Sequence, residues 1–171
     1  MNGFTKLIML ISTLVLMIGG GFSFYLTYQG YQPVAPINTS EDGIAIDGFD
    51  AVAYHTAGTA QKGVANFQVT WAGSIWYFTS LENRQFFSAN PEKYVPQFGG
   101  YDPFGMAMNG AAQPATPELW AIKDGRLYLF YSGKTRTFWQ ENALENLKKA
   151  NIQWNRIKQQ ILYKAEMEKG R

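Results

Sequence analysis

The chain has 171 residues, 46% of them hydrophobic and 16% aromatic, with a formal net charge of +2 from 15 basic and 13 acidic side chains. That length suits one domain of ordinary size with an appendage, and the scattered, nearly balanced charge gives no nucleic-acid footprint. The absence of cysteine excludes disulfides, thiolate metal sites and cysteine nucleophiles together.

The N-terminal region opens with an uncharged run, Leu7 to Leu26, "LIMLISTLVLMIGGGFSFYL". At about 1.5 Å per residue it spans roughly 30 Å, the thickness of a bilayer core. Lys6 precedes it and Glu41 is the next charge after it, which predicts an N-terminus in the cytoplasm and the remainder exported to the periplasmic side. Tyr25, Tyr28 and Tyr31 fall where an interfacial aromatic belt would sit. A cleaved signal peptide is the competing reading, but the run is long for one and no clear cleavage site follows. Residues 1–30 are therefore expected to be a transmembrane anchor and residues 31–45 an extended linker. Residues 46–163 are expected to fold and 164–171 to form a tail. No internal repeat is apparent.

Within the folded part, "FDAVAY" alternates and predicts a short strand. "FQVTW" and "IWYF" flank Ala72-Gly73-Ser74 and predict a hairpin. Thr79 with Glu82 three residues later reads as a capping box that starts a helix through about Ala89. Asn90-Pro91 then restarts a short helix with proline at its first position. "LWAIK" and "RLYLFY" flank Asp124-Gly125, a second hairpin. From Thr135 to the end the chain reads as one amphipathic helix with Leu144, Leu147, Asn151, Trp154, Ile157 and Ile161 on one face. Lys148, Lys149, Arg156, Lys158 and Lys164 lie opposite, as a solvated face expects. The expected class is α+β: a small twisted antiparallel sheet with helices packed on one side, preceded by one N-terminal transmembrane helix.

At "VTWAGSIWYFTSLENRQFFSANPEKY" the pattern resembles the YHS domain, through Gly73, Trp76, Phe78, Ser80, Phe87, Pro91, Lys93 and Tyr94. "IDGFDAVAYHTAG", "QFGGYDPFGMAMNG", "PELWAIKDGRLYLFY" and "NIQWNRI" resemble the flanking parts of exported, membrane-anchored YHS proteins. The resemblance covers about Ile46 to Ile157. It implies a non-catalytic module, often inferred to bind a heavy metal such as copper. Where cysteine-bearing members read Phe-Cys-Ser-x-x-Cys, this chain has Thr79 and Asn83; where relatives read Gly-Gly-Tyr-Cys, it has Asp102. On this resemblance the chain reads as a cysteine-free variant.

Soft cuprous ions also accept thioether and imidazole ligands. His55, the only histidine, and the Met106-x-Met108 pair are therefore the candidate copper ligands, should the fold bring them together. Methionines beside aromatics more often fill core gaps, and a lone histidine is more often a hydrogen-bonded side chain. Asp47, Asp50 and Asp102 could supply a catalytic carboxylate pair, but no nucleophile elbow or phosphate loop accompanies them. The expected function is a membrane-tethered, extracytoplasmic interaction or assembly subunit of a membrane complex, with no catalytic residues and no nucleic-acid partner. A Cu(I)-binding protein is the alternative.

Overall fold

The structure, a computed structural model, describes residues 35–169. The expected membrane anchor lies outside the described residues. Among the described residues no helix is long and apolar enough to cross a membrane. The class is α+β, with two separate two-stranded antiparallel sheets in place of the single sheet expected. Strands β1 (Val64–Trp71) and β2 (Ser74–Phe78) form the first hairpin; β3 (Thr116–Lys123) and β4 (Arg126–Phe130) form the second. Six helices accompany them: α1 (Ala53–Thr56), α2 (Leu81–Ala89), α3 (Pro91–Tyr94), α4 (Pro103–Asn109), α5 (Gly133–Glu141) and α6 (Ala143–Lys169).

These elements form two copies of one unit, offset by 52 residues without a gap. The register of β1 with β2, including its irregularity between Val64 and Gln68, recurs between Thr116 and Trp120. Ser80 caps α2 by accepting the Asn83 N–H, and Ser132 caps α5 by accepting the Thr135 N–H. The bridge between Phe49 and Lys62 recurs between Tyr101 and Pro114. Even the left-handed backbone recurs, at Ile46, Asp47 and Gly48 and again at Phe98, Gly99 and Gly100. Three left-handed residues in a row, one of them β-branched, are strained and persist only when the surrounding structure holds them. The sequence conceals the duplication because most paired positions differ in residue type, as in Tyr54 and Met106, Trp76 and Tyr128, or Phe87 and Trp139.

The differences from the sequence reading have local causes. "FDAVAY" is not a strand. Asp50 accepts the Val52 and Ala53 N–H groups at 2.9 and 3.2 Å and turns the chain into α1. Thr79 does not cap α2, because its hydroxyl is turned toward Asp50; Ser80 takes that role. The terminal helix is divided at Asn142, which has non-helical backbone between α5 and α6. The buried face of α6 then runs through Asn146, Leu147, Ala150, Trp154, Ile157 and Ile161, while Leu144 and Asn151 point to solvent. From Ile37 onward the stretch read as a linker belongs to the core: Ile37 and Ala45 are buried.

Strand β4 joins the two copies. Leu127 and Leu129 pack into the first aromatic cluster, with Trp76, Phe78 and Phe87. Tyr128 and Phe130 point the other way, into the second, with Trp139, Met106 and Ile157. Period-two alternation thus lets one short strand serve two cores. The ring packing repeats as well: Trp76 lies 5.0 Å from Phe87, and Tyr128 lies 4.9 Å from Trp139.

The segment leading into the first unit locks onto the second. The Asn38 N–H donates to the Gly99 carbonyl at 2.7 Å, and the Ile46 N–H donates to the Asn38 carbonyl at 3.0 Å. A Cβ added at Gly99 would stand 2.2 Å from the Pro36 carbonyl oxygen. Gly99→Ala should therefore destabilise the fold by roughly 2–4 kcal/mol, through backbone strain and collision. Gly73→Ala, left-handed but with open space around it, should cost about 1 kcal/mol. Urea denaturation of the two variants checks the difference.

Candidate functional site

Asp50 is fully buried, and its carboxylate gathers the parts of the first unit. Oδ1 accepts the two N–H groups that open α1. Oδ2 accepts the Thr79 N–H at 2.8 Å, the Thr79 hydroxyl at 2.7 Å and the Asn83 side-chain amide at 2.7 Å. Thr79 ends the first hairpin and Asn83 lies in the first turn of α2, so one side chain ties the leading turn, the hairpin and the helix together. The two positions at which the family resemblance places cysteines are the two whose side chains donate to this oxygen.

The second unit builds the same centre less tightly. Asp102 is also fully buried, and accepts the Phe104 and Gly105 N–H groups at 3.3 and 3.4 Å. The Tyr131 N–H and the Thr135 hydroxyl stand against it. Burial pushes the Asp102 carboxyl above its ordinary value, and these donors pull it back only in part. Among the described residues Asp50 and Asp102 share no hydrogen-bond partner; each serves its own unit. Asp47, with its side chain exposed, stays outside both centres.

The candidate soft-metal ligands are dispersed. The "GGYDPFGMAMNG" stretch is not an extended loop; it turns at Gly99–Gly100 and continues into α4. Met106 is fully buried in the second cluster, whereas Met108 is 50% exposed. Residues two apart on a helix do not share a face, so the pair does not converge on one centre. His55 lies at the end of α1 in the first unit, its ring edge-on to Tyr94 at 5.4 Å. Its Nε2 is buried without a hydrogen-bond partner. Burial, and secondarily the Lys93 charge, hold the imidazole below its ordinary pKa, so it favours the neutral form.

Nor do the carboxylate centres fit copper. Asp50, Thr79 and Asn83 present hard oxygen and amide groups, already turned toward one another, where a cuprous ion requires soft donors. Among the described residues no three His, Asp or Glu side chains form a metal-holding group. The sequence reading missed the role of Asp50 as a hub. The available signal was the pairing of Asp50 with Asp102, and of Ser80 with Ser132, at one common spacing. No family model, no curated protein and no solved structure matches the chain.

Two measurements check this description. Asp50→Asn places an amide N–H₂ against buried donors and should destabilise the protein by about 2–3 kcal/mol in urea denaturation. Asp102→Asn should cost less than about 1 kcal/mol, because its bonds are long and losing a buried charge offsets the lost acceptor.

The second measurement concerns pH. The folded state holds His55 below its ordinary value of 6.5, so the unfolded chain binds the extra proton first as pH falls. Stability should therefore decline as pH drops from 6.5 toward about 5, before most carboxylates titrate. His55→Leu should flatten that slope, as read from denaturation midpoints across the window. An unchanged slope would assign it to other groups.

Proposed function

We propose that this chain is a membrane-tethered, extracytoplasmic YHS-type module that works by docking, as a non-catalytic assembly subunit of a membrane complex. The observation that carries the reading is the outward side of α6. Ile152, Tyr163 and Met167 recur after eleven and four residues, close to whole numbers of helical turns, and are 62%, 65% and 54% exposed. Leu162 is 64% exposed beside them. The inner side of the same helix is already occupied by Trp154 and Ile157 against the second core. With Arg156 and Gln159 exposed between Ile152 and Tyr163, the outer side of α6 is a mixed apolar and basic surface, of a kind suited to meeting a partner.

Two further features support docking over chemistry. Asp50 and Asp102, the buried carboxylates, are engaged in holding backbone turns and helix starts. The uncharged run Leu7–Leu26 supplies the tether, and the exposed Lys148 and Arg156, one turn to either side of Ile152, give the same outer side positive charge suited to an acidic partner or lipid surface. The N-terminal side then faces the cytoplasm and the paired units face the periplasm.

The test is extraction of the full chain in mild detergent, with cross-linking before purification. Specific membrane subunits should co-purify with the native chain. Ile152→Glu combined with Tyr163→Glu should lose them while the thermal midpoint of the module shifts by only a few degrees, because both side chains are exposed. Recovery of monomer alone from the native chain, or equal recovery of partners with the double variant, would overturn the reading.

A further inference from the structure

The two units differ in how their outer faces are covered. In the second unit, the backbone of Gly99 and Gly100 is covered by the extended segment Pro36–Asn38, and Leu129 is sealed in the neighbouring core. The corresponding positions of the first unit are Asp47, Gly48 and Tyr77, and they line an open cleft of about 610 Å³. Ile44 in this cleft corresponds to Pro96, which packs beside Gly100 under the covering segment. The first unit therefore keeps open the surface that its twin uses to hold an extended strand of chain.

The hydrogen-bonding groups follow the same logic. The Gly99 carbonyl accepts the Asn38 backbone N–H, whereas the equivalent Asp47 carbonyl accepts the Lys62 ammonium at 2.9 Å. Lys62 is an exposed, flexible donor that also lies 4.9 Å over the Phe49 ring. Its counterpart in the second unit is Pro114, which has no such donor to offer. Lys62 thus occupies the acceptor position that a backbone donor takes in the second unit.

The cleft also differs from its twin in charge. Where Gly99 leaves room for the Pro36 carbonyl, Asp47 has a Cβ and a carboxylate. A ligand there sits further out than Pro36 does against Gly99 and faces the Asp47 carboxylate, which favours a cationic group. Asp42 and Glu118, both exposed, line the same cleft, and among the described residues Lys62 is its only cationic lining residue.

We propose that this acidic cleft of the first unit binds an extended, Arg- or Lys-containing peptide segment of a partner protein, seated further from the backbone than Pro36–Asn38 is in the second unit. The site is separate from the outer side of α6, so each can fail without the other.

The probe is a fluorescein-labelled peptide, Arg-Ile-Arg-Thr-Arg, titrated against the full chain in neutral detergent and followed by anisotropy. Saturable binding is expected, weakened at least about tenfold in Asp47→Asn with Glu118→Lys, since like charge facing a cation is strongly unfavourable. Asparagine also tolerates the left-handed backbone at that position. Glu82→Lys with Glu92→Gln makes the same change in net charge at exposed positions that do not line the cleft, and should leave binding unchanged. Absence of saturation, equal weakening by both double variants, or equal affinity for the Glu-Ile-Glu-Thr-Glu peptide would overturn the proposal.

Discussion

A buried carboxylate that accepts backbone N–H groups is the constraint on which this fold depends. Asp50 has no exposed surface, yet five donors from three stretches of chain reach it. A leading turn, a hairpin end and a helix start all carry polar groups that the hairpin and helix cannot satisfy by themselves. Leaving such groups bare would cost about 1–3 kcal/mol each. One carboxylate with several lone pairs resolves them together, and the aromatic rings of Trp76, Phe78 and Phe87 can then close over the centre without trapping bare donors. The arrangement is made twice, the second time with longer contacts at Asp102, whose carboxyl is held above its ordinary value by burial.

Duplication explains where the structure is closed and where it is open. The two units are not covered in the same way. Strand β4 of the second unit lies between both cores, so its two faces are buried, while Ile75 and Tyr77 on the outer face of β2 remain partly accessible. The leading segment closes the second unit, and α6 packs along it through Trp154 and Ile157. Nothing among the described residues performs that service for the first unit, and an open cleft remains at Asp47 and Tyr77. Among the described residues this asymmetry leaves the cleft open on the first unit, while the buried carboxylates Asp50 and Asp102 are engaged by backbone and side-chain donors.

The sequence by itself determined the local elements. Both hairpins were legible from Gly73 and Asp124-Gly125 between apolar runs, and α3 from Asn90-Pro91, because turn and cap chemistry acts over a few neighbouring residues. The inward face of α6 at Leu147, Trp154, Ile157 and Ile161 followed from helical spacing. What only the tertiary structure decided was the meaning of residues whose partners are remote in the chain. Thr79 read as a helix cap because Glu82 is near in sequence, but Asp50, 29 residues away, takes its hydroxyl. His55, Met106 and Met108 read as one ligand set because their chemistry agrees, but helix geometry turns the methionines apart. The repeat itself was concealed because a core preserves volume and apolarity more than identity, so Phe87 and Trp139 can do the same work. The paired positions that did keep their identity, among them Asp50 and Asp102, Ser80 and Ser132, Gly48 and Gly100, and Asn90 and Asn142, are those where a cap, a left-handed turn or a buried acceptor leaves few alternatives.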